Sequence, residues 1–556
     1  MRELQGIGVS PGLVRGVVAR LAPAPVLPDA LVPDGDLETE LSHTSAAFEK
    51  VAHELGELSA SVSAEVRNII SAQVAIALDP VLKEKISDLV HQGVAGPYAV
   101  RDALAGFRDQ LLAAGGYLAE RAADLDDLAE RVIATILGEP MPGIPVRSEP
   151  FVLVAADLSP ADTASLDTSK VLAIVTEAGG PTSHTAIIAK SLGIPAVVAC
   201  KGAAELTDGD DVLVDGSLGK VIIDPSLRQV EERTQNFAKR RMAMSSVSGP
   251  GRTADGYPVQ LLVNVGTRKD FAASARIDSE GVGLFRTEFL FLERASAPTL
   301  DEQRDVYREL FEAFTGRKVI VRTLDAGADK PLAFVKAAEE PNPALGVRGF
   351  RTYASNPELL EEQLRAISRA AASSGADVWV MAPMVSSPAE AAVFAGLAHG
   401  AGLPNAGSMV EVPAAALRAG DLIGECDFLS VGTNDLSQYT FAADRETGVL
   451  AELLDPWQPA LLELVRFAAE AGRRAGKPVG VCGEAASDPI LALVLVGLGV
   501  SSLSMAPVSV APVRAEIARH DYRECERLAT LALAAKDGFA ARSAVHAEIY
   551  GDSLVP

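Results

Sequence analysis

Apolar positions change their spacing several times along this 556-residue chain, and each change predicts a different kind of element. Residues 1–20 contain short apolar runs separated by glycine and proline, which predicts strands with turns. From about Asp36, apolar residues recur at intervals of three, four or seven, and this helical period ends near Gly138 and Pro140. The pattern predicts an all-helical block over 21–145. The block has no cluster of nucleophiles, metal ligands or glycine-rich loops, which favours docking over catalysis.

Short apolar runs return after the helical block and predict a small α/β domain. Because residues 1–20 are also strand-like, we expect the helical block to be inserted into one α/β domain built from 1–20 and 146–226. A polar helical stretch follows and predicts a linker over 227–250. The strands predicted here are Phe151–Ala155, Val171–Val175, Ala196–Ala199, Val212–Val214 and Val221–Ile223.

Residues 251–556 contain eight apolar strands that mostly alternate with helical patterns. Eight such units over this length favour a (β/α)₈ barrel over an open doubly wound sheet. The chain as a whole is therefore predicted to be a multidomain α/β protein. The eight predicted strands are Val259–Val265, Gly281–Phe285, Lys318–Arg322, Val378–Ala382, Gly407–Val410, Phe428–Gly432, Pro478–Val481 and Ser501–Met505.

Charged and polar residues follow most of these strands, at the end of a barrel where catalytic groups gather. The guanidinium groups of arginines bind phosphate and carboxylate oxygens with two N–H groups at once. Two carboxylates could bind a hard cation such as Mg²⁺. An anionic phosphate substrate is implied, because so many unpaired charges would be costly as structure alone. The residues concerned are Arg286, Arg322, Asp325, Asp329, Lys330, Arg348, Glu411, Asn434, Asp435, Arg445, Cys482 and Glu484.

A histidine turn lies inside the small α/β domain, in the string TEAGGPTSHTAIIAK over 176–190. It joins a predicted strand to a predicted helix and places His184 at the helix start. A neutral imidazole there is a competent nucleophile, and the unpaired N–H groups of the helix can hold an anion beside it. Alternatively, Ser183 or Thr182 simply caps the helix and His184 is an ordinary turn residue.

Composition narrows the class of protein. The chain is 48% hydrophobic and 22% charged, as in ordinary globular proteins, and its net charge of −24 argues against general nucleic-acid binding. Four scattered cysteines suggest neither a zinc site nor a disulfide framework. The longest apolar run, near Ile490–Val500, is too short to span a bilayer, so we expect a cytoplasmic enzyme. Cys482 ends a strand in a charged pocket, which favours a functional thiol over a buried small hydrophobe.

Several strings together resemble the phosphoenolpyruvate-utilising enzymes, and within them the enzyme I family of the bacterial sugar phosphotransferase system. The resemblance covers nearly the whole chain. A short helical block stands where dikinases and synthases of that family carry a nucleotide-binding domain, and no residues remain for the sensory domain of the nitrogen-regulatory relative. The strings are GIGVSPG, GGPTSHTAIIAKSLGIPAVV, GVGLFRTEFLF, VRTLDAGADK, NPALGVRGFR, VEVPAAA, SVGTNDLSQYT and VCGEAASD.

The resemblance implies a role for each site residue. His184 would be phosphorylated, with the Thr163 hydroxyl near it, and Cys482 would protonate the enolate. Mg²⁺ would sit on Glu411 and Asp435. The block 21–145 would dock the small carrier protein HPr, and the barrel would form a homodimer. The expected phosphoenolpyruvate ligands are Arg286, Arg322, Asn434, Asp435 and Arg445, with Lys330 and Arg348 close by.

Two departures from the family pattern concern the partner contacts. Pro181 stands where the family often has arginine, and Ser71-Ala72-Gln73 replaces a common Glu-Ala-His string. Two other interpretations of the function also remain open. The barrel alone could be a Mg²⁺-dependent lyase or aldolase, or the chain could be a non-catalytic regulatory protein that holds the ligand. Because the α/β domain lacks groups that could activate the substrate, we hypothesise that His184 shuttles between the barrel and the helical block.

Overall fold

The computed structural model divides the chain into two compact units, Met1–Thr234 and Gln235–Pro556. It describes residues 2–22, 25–27, 36–59, 71, 73–114, 122–139, 142–145, 147, 149–158, 162, 166–167, 169–180, 183–245, 247–292, 294, 296–327, 332, 334–335, 340, 342–445 and 448–550.

A mixed eight-stranded sheet forms the α/β part of the first unit, with strand order β1-β8-β7-β3-β4-β5-β6-β2. Strands from both ends of the unit share this sheet, since β3 pairs in parallel with β4. The helical block enters the chain between these two strands, which confirms the predicted insertion. The strands are β1 Arg2–Gln5, β2 Ile7–Ser10, β3 Leu13–Arg20, β4 Phe151–Ala155, β5 Val171–Thr176, β6 Ala196–Val198, β7 Asp211–Asp215 and β8 Lys220–Ile223.

Alternate residues of the central strands pack into different hydrophobic clusters. In β4, Phe151, Leu153 and Ala155 belong to one cluster, whereas Val152 and Val154 belong to another. Successive side chains of a strand point to opposite faces, so both faces of this sheet are covered. This explains why β4 is apolar throughout instead of alternating with polar residues.

The helical block has its own apolar core, in which Phe48, Leu104, Leu128 and Val132 are almost fully buried. Asp79 caps one of its helices by accepting hydrogen bonds from the N–H groups that follow it. The block is therefore a self-contained bundle, as its helical period predicts. Its helices are α1 Leu37–Ser59, α2 Pro80–His91, α3 Gly96–Ala114 and α4 Ala122–Leu137, and residues 73–77 are helical as well.

The second unit contains a closed barrel of parallel strands, in which β9 pairs with both β10 and β16. Every strand predicted in the barrel and over 146–226 is present, and no end differs by more than one residue. The predicted fold class is therefore confirmed, while the four domain boundaries stay predictions. The strands are β9 Gln260–Val265, β10 Gly281–Phe285, β11 Lys318–Arg322, β12 Asp377–Ala382, β13 Ala406–Val410, β14 Phe428–Val431, β15 Val479–Val481 and β16 Ser502–Met505.

Helices cover the outside of the barrel. Alternation along β11 separates the barrel interior from this shell, because Val319 and Val321 pack with the outer cluster while Ile320 packs in the inner one. Lys318 and Arg322 share the inward face with Ile320, at opposite ends of the strand. The remaining described helices are α5 His184–Leu192, α6 Leu227–Ser245, α7 Phe271–Ala275, α8 Leu300–Ala313, α9 Pro357–Ala372, α10 Pro388–Gly400, α11 Pro413–Leu417, α12 Ala419–Glu425, α13 Thr433–Phe441, α14 Pro459–Ala475, α15 Pro489–Gly497, α16 Val510–Ile517, α17 Tyr522–Ala534 and α18 Gly538–Tyr550.

The predicted linker is a helix, α6, and the division between the two units falls within it, after Thr234. Across the described residues, no helix combines the length and apolar character needed to cross a membrane.

A buried histidine joins the last three helices of the second unit. His520 Nε2 lies 3.2 Å from Glu516 Oε1, and its Nδ1 lies 3.0 Å from Glu524 Oε2. Tyr550 donates a hydrogen bond of 3.3 Å to the same Glu516 oxygen. Burial lowers the pKa of His520, but the two carboxylates outweigh it and the net pKa is raised. The charged imidazole therefore stabilises the contacts among these three helices.

We predict that His520→Gln destabilises the protein by about 1–2 kcal/mol at about pH 6 and by less at about pH 9. A raised pKa adds stability below the unfolded-state pKa of about 6.5, and this stability is lost as pH rises through the folded-state value. Urea unfolding at both pH values would measure it.

The matched control is His399→Gln, which removes an exposed histidine 2.9 Å from Asp427. Exposed pairs contribute little, so its effect should be small at both pH values. An equal loss in the His520 variant at pH 6 and pH 9 would contradict the assignment.

Candidate functional site

The carboxyl ends of the barrel strands meet at one mouth, because all the strands are parallel and the barrel is closed. Arg322 is the last residue of β11 and Glu411 directly follows β13. Asp435 lies in the first turn of α13, shortly after β14. All three are buried, with at most 7% of each residue exposed. The sequence-predicted gathering of charge at the strand ends is therefore present in the fold.

Arg322 contacts three carboxylates. Its Nη2 donates to Glu288 Oε1 at 2.9 Å, and its Nη1 lies 3.3 Å from Asp325 Oδ2 and 4.0 Å from Glu411 Oε1. Burial alone would lower the pKa of this guanidinium, but the carboxylates raise it well above its ordinary value. The group is therefore held permanently charged and in a fixed position.

Arg348 links Asp325 to a further carboxylate across the mouth. Its Nη2 donates to Asp325 Oδ2 and its Nη1 to Asp435 Oδ1, both at 3.0 Å. The adjacent Gly349 has φ +58, and a Cβ there would come within 2.9 Å of the Met384 side chain. Glycine at this position lets the chain turn Arg348 into the mouth without a steric clash. Asp325 thus joins the two arginines, since each of them contacts its Oδ2.

Glu411 is the most deeply buried carboxylate of this group, with 1% of the residue exposed. Burial raises its pKa to about 8, assisted by the negative charges of Asp435 and Asp325. One oxygen accepts a hydrogen bond of 2.8 Å from the Met384 N–H. Met384 itself has φ +59, an uncommon conformation for a residue with a side chain, so the backbone carries strain where it binds Glu411.

The donor set fits a hard divalent cation. Glu288, Asp325, Glu411 and Asp435 lie among the guanidinium groups, and a cation would relieve the mutual repulsion that raises the pKa of Glu411. Among the described residues, no group of three or more His, Cys, Asp or Glu side chains is arranged to hold a metal by itself. Mg²⁺ commonly uses one or two carboxylates and takes its other ligands from substrate and water. Glu411 and Asp435 suit that mode of binding.

Cys482 follows β15 and faces the barrel interior, with 2% of the residue exposed. Burial raises the pKa of its thiol to about 11, and the charge of Glu411 acts in the same direction. Arg322 and Arg286 oppose this increase, which places both guanidinium groups within electrostatic range of the sulfur. The thiol is therefore protonated at neutral pH, as a proton donor must be.

The other predicted residues at the mouth differ in exposure. Arg445 is partly exposed, and its Nη1 lies 3.9 Å from Asp435 Oδ2. Arg286 is exposed directly after β10. Asn434 accepts a hydrogen bond of 3.1 Å from the Glu484 N–H, which ties the β14 and β15 ends together. Asp329 and Lys330 lie outside the described residues.

The histidine turn has the predicted local structure. Helix α5 begins at His184, and Ser183 is its N-cap, with a side chain that accepts a hydrogen bond of 3.3 Å from Ala186 N–H. Thr185 donates a hydrogen bond of 3.1 Å to Asp157, which anchors the first turn. His184 therefore stands at the positive end of a capped helix. Thr163, Pro181 and Thr182 lie outside the described residues.

Gln73, one of the two departures noted in the sequence, lies inside the helical block. It is 1% exposed and donates hydrogen bonds of 3.1 Å to the Asp124 carbonyl and to Asp127 Oδ2. A partner protein cannot reach this side chain directly. An effect of Gln73 on docking must therefore act through the position of α4.

Two residues of the mouth were not singled out by sequence reasoning. Glu288 pairs with Arg322, and Tyr439 accepts a hydrogen bond of 3.2 Å from Arg348 while donating one to the Ala344 carbonyl. Glu288 has a detectable signal, since it lies just after a strand, two residues beyond Arg286. Tyr439 had none, because a tyrosine in a helix has many ordinary uses.

Known proteins match this chain along most of its length. Residues 5–121 match the N-terminal domain of PEP-utilising enzymes, 147–219 their mobile domain and 240–522 their PEP-binding domain. The phosphoenolpyruvate-protein phosphotransferase of Streptomyces coelicolor is 48% identical over 552 residues, covering 99% of both chains. That of Bacillus subtilis is 37% identical over 556 residues, covering 95% of this chain and 96% of its own.

A solution structure of Enzyme I is 31% identical, covers 43% of this chain and 99% of its own, and has a TM-score of 0.39. The family matches and the full-length relatives lead to one assignment. The chain belongs to the PEP-utilising enzyme family and, within it, to the phosphoenolpyruvate-protein phosphotransferases.

Proposed function

We propose that the chain transfers the phosphoryl group of phosphoenolpyruvate to its own His184 and then to a histidine of the carrier protein HPr. This is the first step of the sugar phosphotransferase system. The observation that carries the proposal is the buried cluster of Arg322, Arg348, Glu411 and Asp435 at the barrel mouth. Its fixed guanidinium groups and carboxylates suit a small trianion bound together with a divalent cation.

The roles within the site follow from these groups. Arg286, Arg322, Arg348, Asn434 and Arg445, with Lys330, orient the phosphate and carboxylate of the substrate. The His184 imidazole attacks phosphorus, and the electrons of the broken P–O bond pass to the enolate. Cys482 then gives its proton to the enolate carbon, which yields pyruvate. Mg²⁺ on Glu411 and Asp435 would neutralise charge on the phosphate, and Thr163 would lie near the phosphohistidine.

Nucleophile and substrate site belong to different compact units, because His184 lies before Thr234 and the arginines lie after it. We therefore propose that His184 is carried between the barrel, domain 251–556, and the docking block, domain 21–145. Domain 1–20 plus 146–226 would move about the linker 227–250. Dimerisation through the barrel and a cytoplasmic location belong to the same proposal.

Phosphorylation of His184 can be measured directly. Incubation with ³²P-labelled phosphoenolpyruvate and Mg²⁺ should give acid-labile, alkali-stable label that moves to HPr. His184→Ala should remove the label. A lyase or aldolase would keep turning over in that variant, and a regulatory protein would take up no label at all. Label on the unchanged protein at a residue other than His184 would also contradict the proposal.

The second prediction concerns metal binding. Because burial raises the pKa of Glu411 to about 8, a proton competes with Mg²⁺ at this carboxylate. The apparent Mg²⁺ affinity should therefore increase about tenfold per pH unit below this value and then level off. Isothermal titration with Mg²⁺ and a non-transferable phosphoenolpyruvate analogue, from about pH 6 to about pH 9, would measure it.

The control for metal binding is Glu411→Gln, which cannot take up a proton in this range. It should bind Mg²⁺ weakly and without this pH dependence. A wild-type affinity that stays constant with pH would contradict competition between a proton and Mg²⁺ at Glu411.

The third prediction concerns the thiol. Cys482→Ala should slow the formation of pyruvate about 10²-fold or more, because it removes the proton donor. Transfer between the phosphorylated protein and HPr should change much less. Rapid-quench measurements of both half-reactions separate these effects. Equal losses in the two half-reactions would mean that Cys482 has a structural role.

A further inference from the structure

The interior of the barrel has an apolar side and a polar side. Apolar side chains of neighbouring strands form one inner cluster that includes Ile320, Met381 and Phe428. Small or hydroxyl-bearing residues of β14, β15 and β16 lie beside this cluster. These are Ser430, Gly480, Ser502 and Ser504. A packed barrel core is normally filled with bulky branched side chains, so the polar side is unusual for its position.

A small cavity lies inside the barrel between these two sides. Cys482, Ser430, Ser502 and Ser504 line it together with apolar side chains such as Ile320 and Phe428, and the centre of a water molecule can occupy about 20 Å³ within it. A buried water needs about 10–15 Å³ measured in this way and two to four polar partners. The hydroxyl groups supply such partners. The cavity therefore has room for about one water molecule, which the serine hydroxyls could hold near the Cys482 thiol.

Lys318 also lines this cavity, from the other end of the barrel. It is the first residue of β11, whereas Arg322 at the mouth is the last. Its Nζ lies 3.0 Å from Gln260 Oε1 and 3.9 Å from the centre of the Trp379 ring. Burial lowers its pKa, partly opposed by Asp377 and Glu280, so this ammonium releases a proton more readily than an exposed lysine.

The same lysine borders a larger open pocket at the amino-terminal face of the barrel. This pocket has a volume of about 470 Å³ and is also lined by Gln260, Arg317 and Asp377. Lys318 is thus common to a pocket open to solvent and to the inner cavity that reaches Cys482. Proton transfer between the two residues needs a series of polar groups, which water and the serine hydroxyls of the inner cavity could supply.

Cys482 needs a supply of protons if it acts as proposed above. Each turnover would remove one proton from a thiol that is only 2% exposed. The side chain contacts the Val431 carbonyl, 3.6 Å from its sulfur, which accepts a hydrogen bond but cannot give a proton. Lys318 is a proton source that touches the same cavity as the sulfur.

We propose that Lys318 restores the proton of Cys482 through water and serine hydroxyls inside the barrel. The inference rests on the proposed role of Cys482. After Cys482 gives its proton to the enolate carbon, the thiolate takes one from the adjacent water or hydroxyl. That oxygen takes a proton in turn from its neighbour, and the series ends at the Lys318 ammonium. The resulting neutral amine takes a proton from solvent in the open pocket.

The test measures the Cys482 thiol directly by infrared spectroscopy of S–H to S–D exchange after transfer into D₂O. The Cys482→Ser variant identifies the band. The other three cysteines are also buried and serve as internal references. Cys482 should exchange faster than these three. Lys318→Met should slow its exchange about tenfold or more while leaving the references unchanged.

Arg317→Met is the matched control, because Arg317 lines the open pocket without lining the inner cavity. The exchange rate of the Cys482 thiol in this variant should equal that in the wild type. A second variant, Gly480→Ala, keeps the proposal testable if Lys318→Met does not fold. A Cβ at this position would come within 2.3 Å of Ser502 Oγ, so the methyl group would move this hydroxyl from its place in the cavity lining. It too should slow the exchange.

Unchanged exchange in both Lys318→Met and Gly480→Ala would overturn the proposal and show that the proton enters from the mouth. Slow exchange in wild-type Cys482, equal to that of the other cysteines, would overturn it as well. Thiol exchange is measured without phosphoenolpyruvate or HPr. Failure of this inference is therefore distinguishable from failure of the proposed phosphotransfer, which depends on labelling of His184.

Discussion

The shared carboxylate Asp325 is the contact on which the barrel mouth depends. Its Oδ2 lies 3.3 Å from Arg322 and 3.0 Å from Arg348, and these arginines in turn reach Glu411 and Asp435. Buried charges are tolerated only when they are paired, and removing one partner leaves another charge without compensation. The network therefore fixes its members together. Such a preorganised set of charges can bind a charged transition state without first reorganising.

The charges at the mouth also limit what the site can bind. Four carboxylates, Glu288, Asp325, Glu411 and Asp435, accompany the four described arginines of the mouth, so the formal charges of these groups cancel and offer no net positive charge to an anion. A divalent cation would add the missing charge where two carboxylates already repel each other. Substrate and metal would thus assist each other in binding. In the metal-free protein, the repulsion between neighbouring carboxylates contributes to the raised pKa of Glu411.

The fold places the proposed nucleophile and the groups proposed to activate the substrate in different compact units. His184 begins a capped helix on a sheet whose two faces are both covered, while the arginines belong to a barrel in the other unit. Each unit has its own apolar core, so each can keep its geometry when the other moves. A phosphoryl group held on a histidine is small enough to be carried between such bodies.

The sequence by itself determined the strands, the barrel, the inserted helical block and the residues at the strand ends. These features depend on local periodicity, and the closure of parallel strands brings their ends together whatever the loops do. Only the tertiary structure decided which charges pair. Asp325 joins Arg322 to Arg348, Glu288 enters the mouth, Gln73 is buried, and Lys318 reaches the cavity beside Cys482. Such contacts join residues far apart in the chain, and their geometry follows from packing, which has no local signature in the sequence.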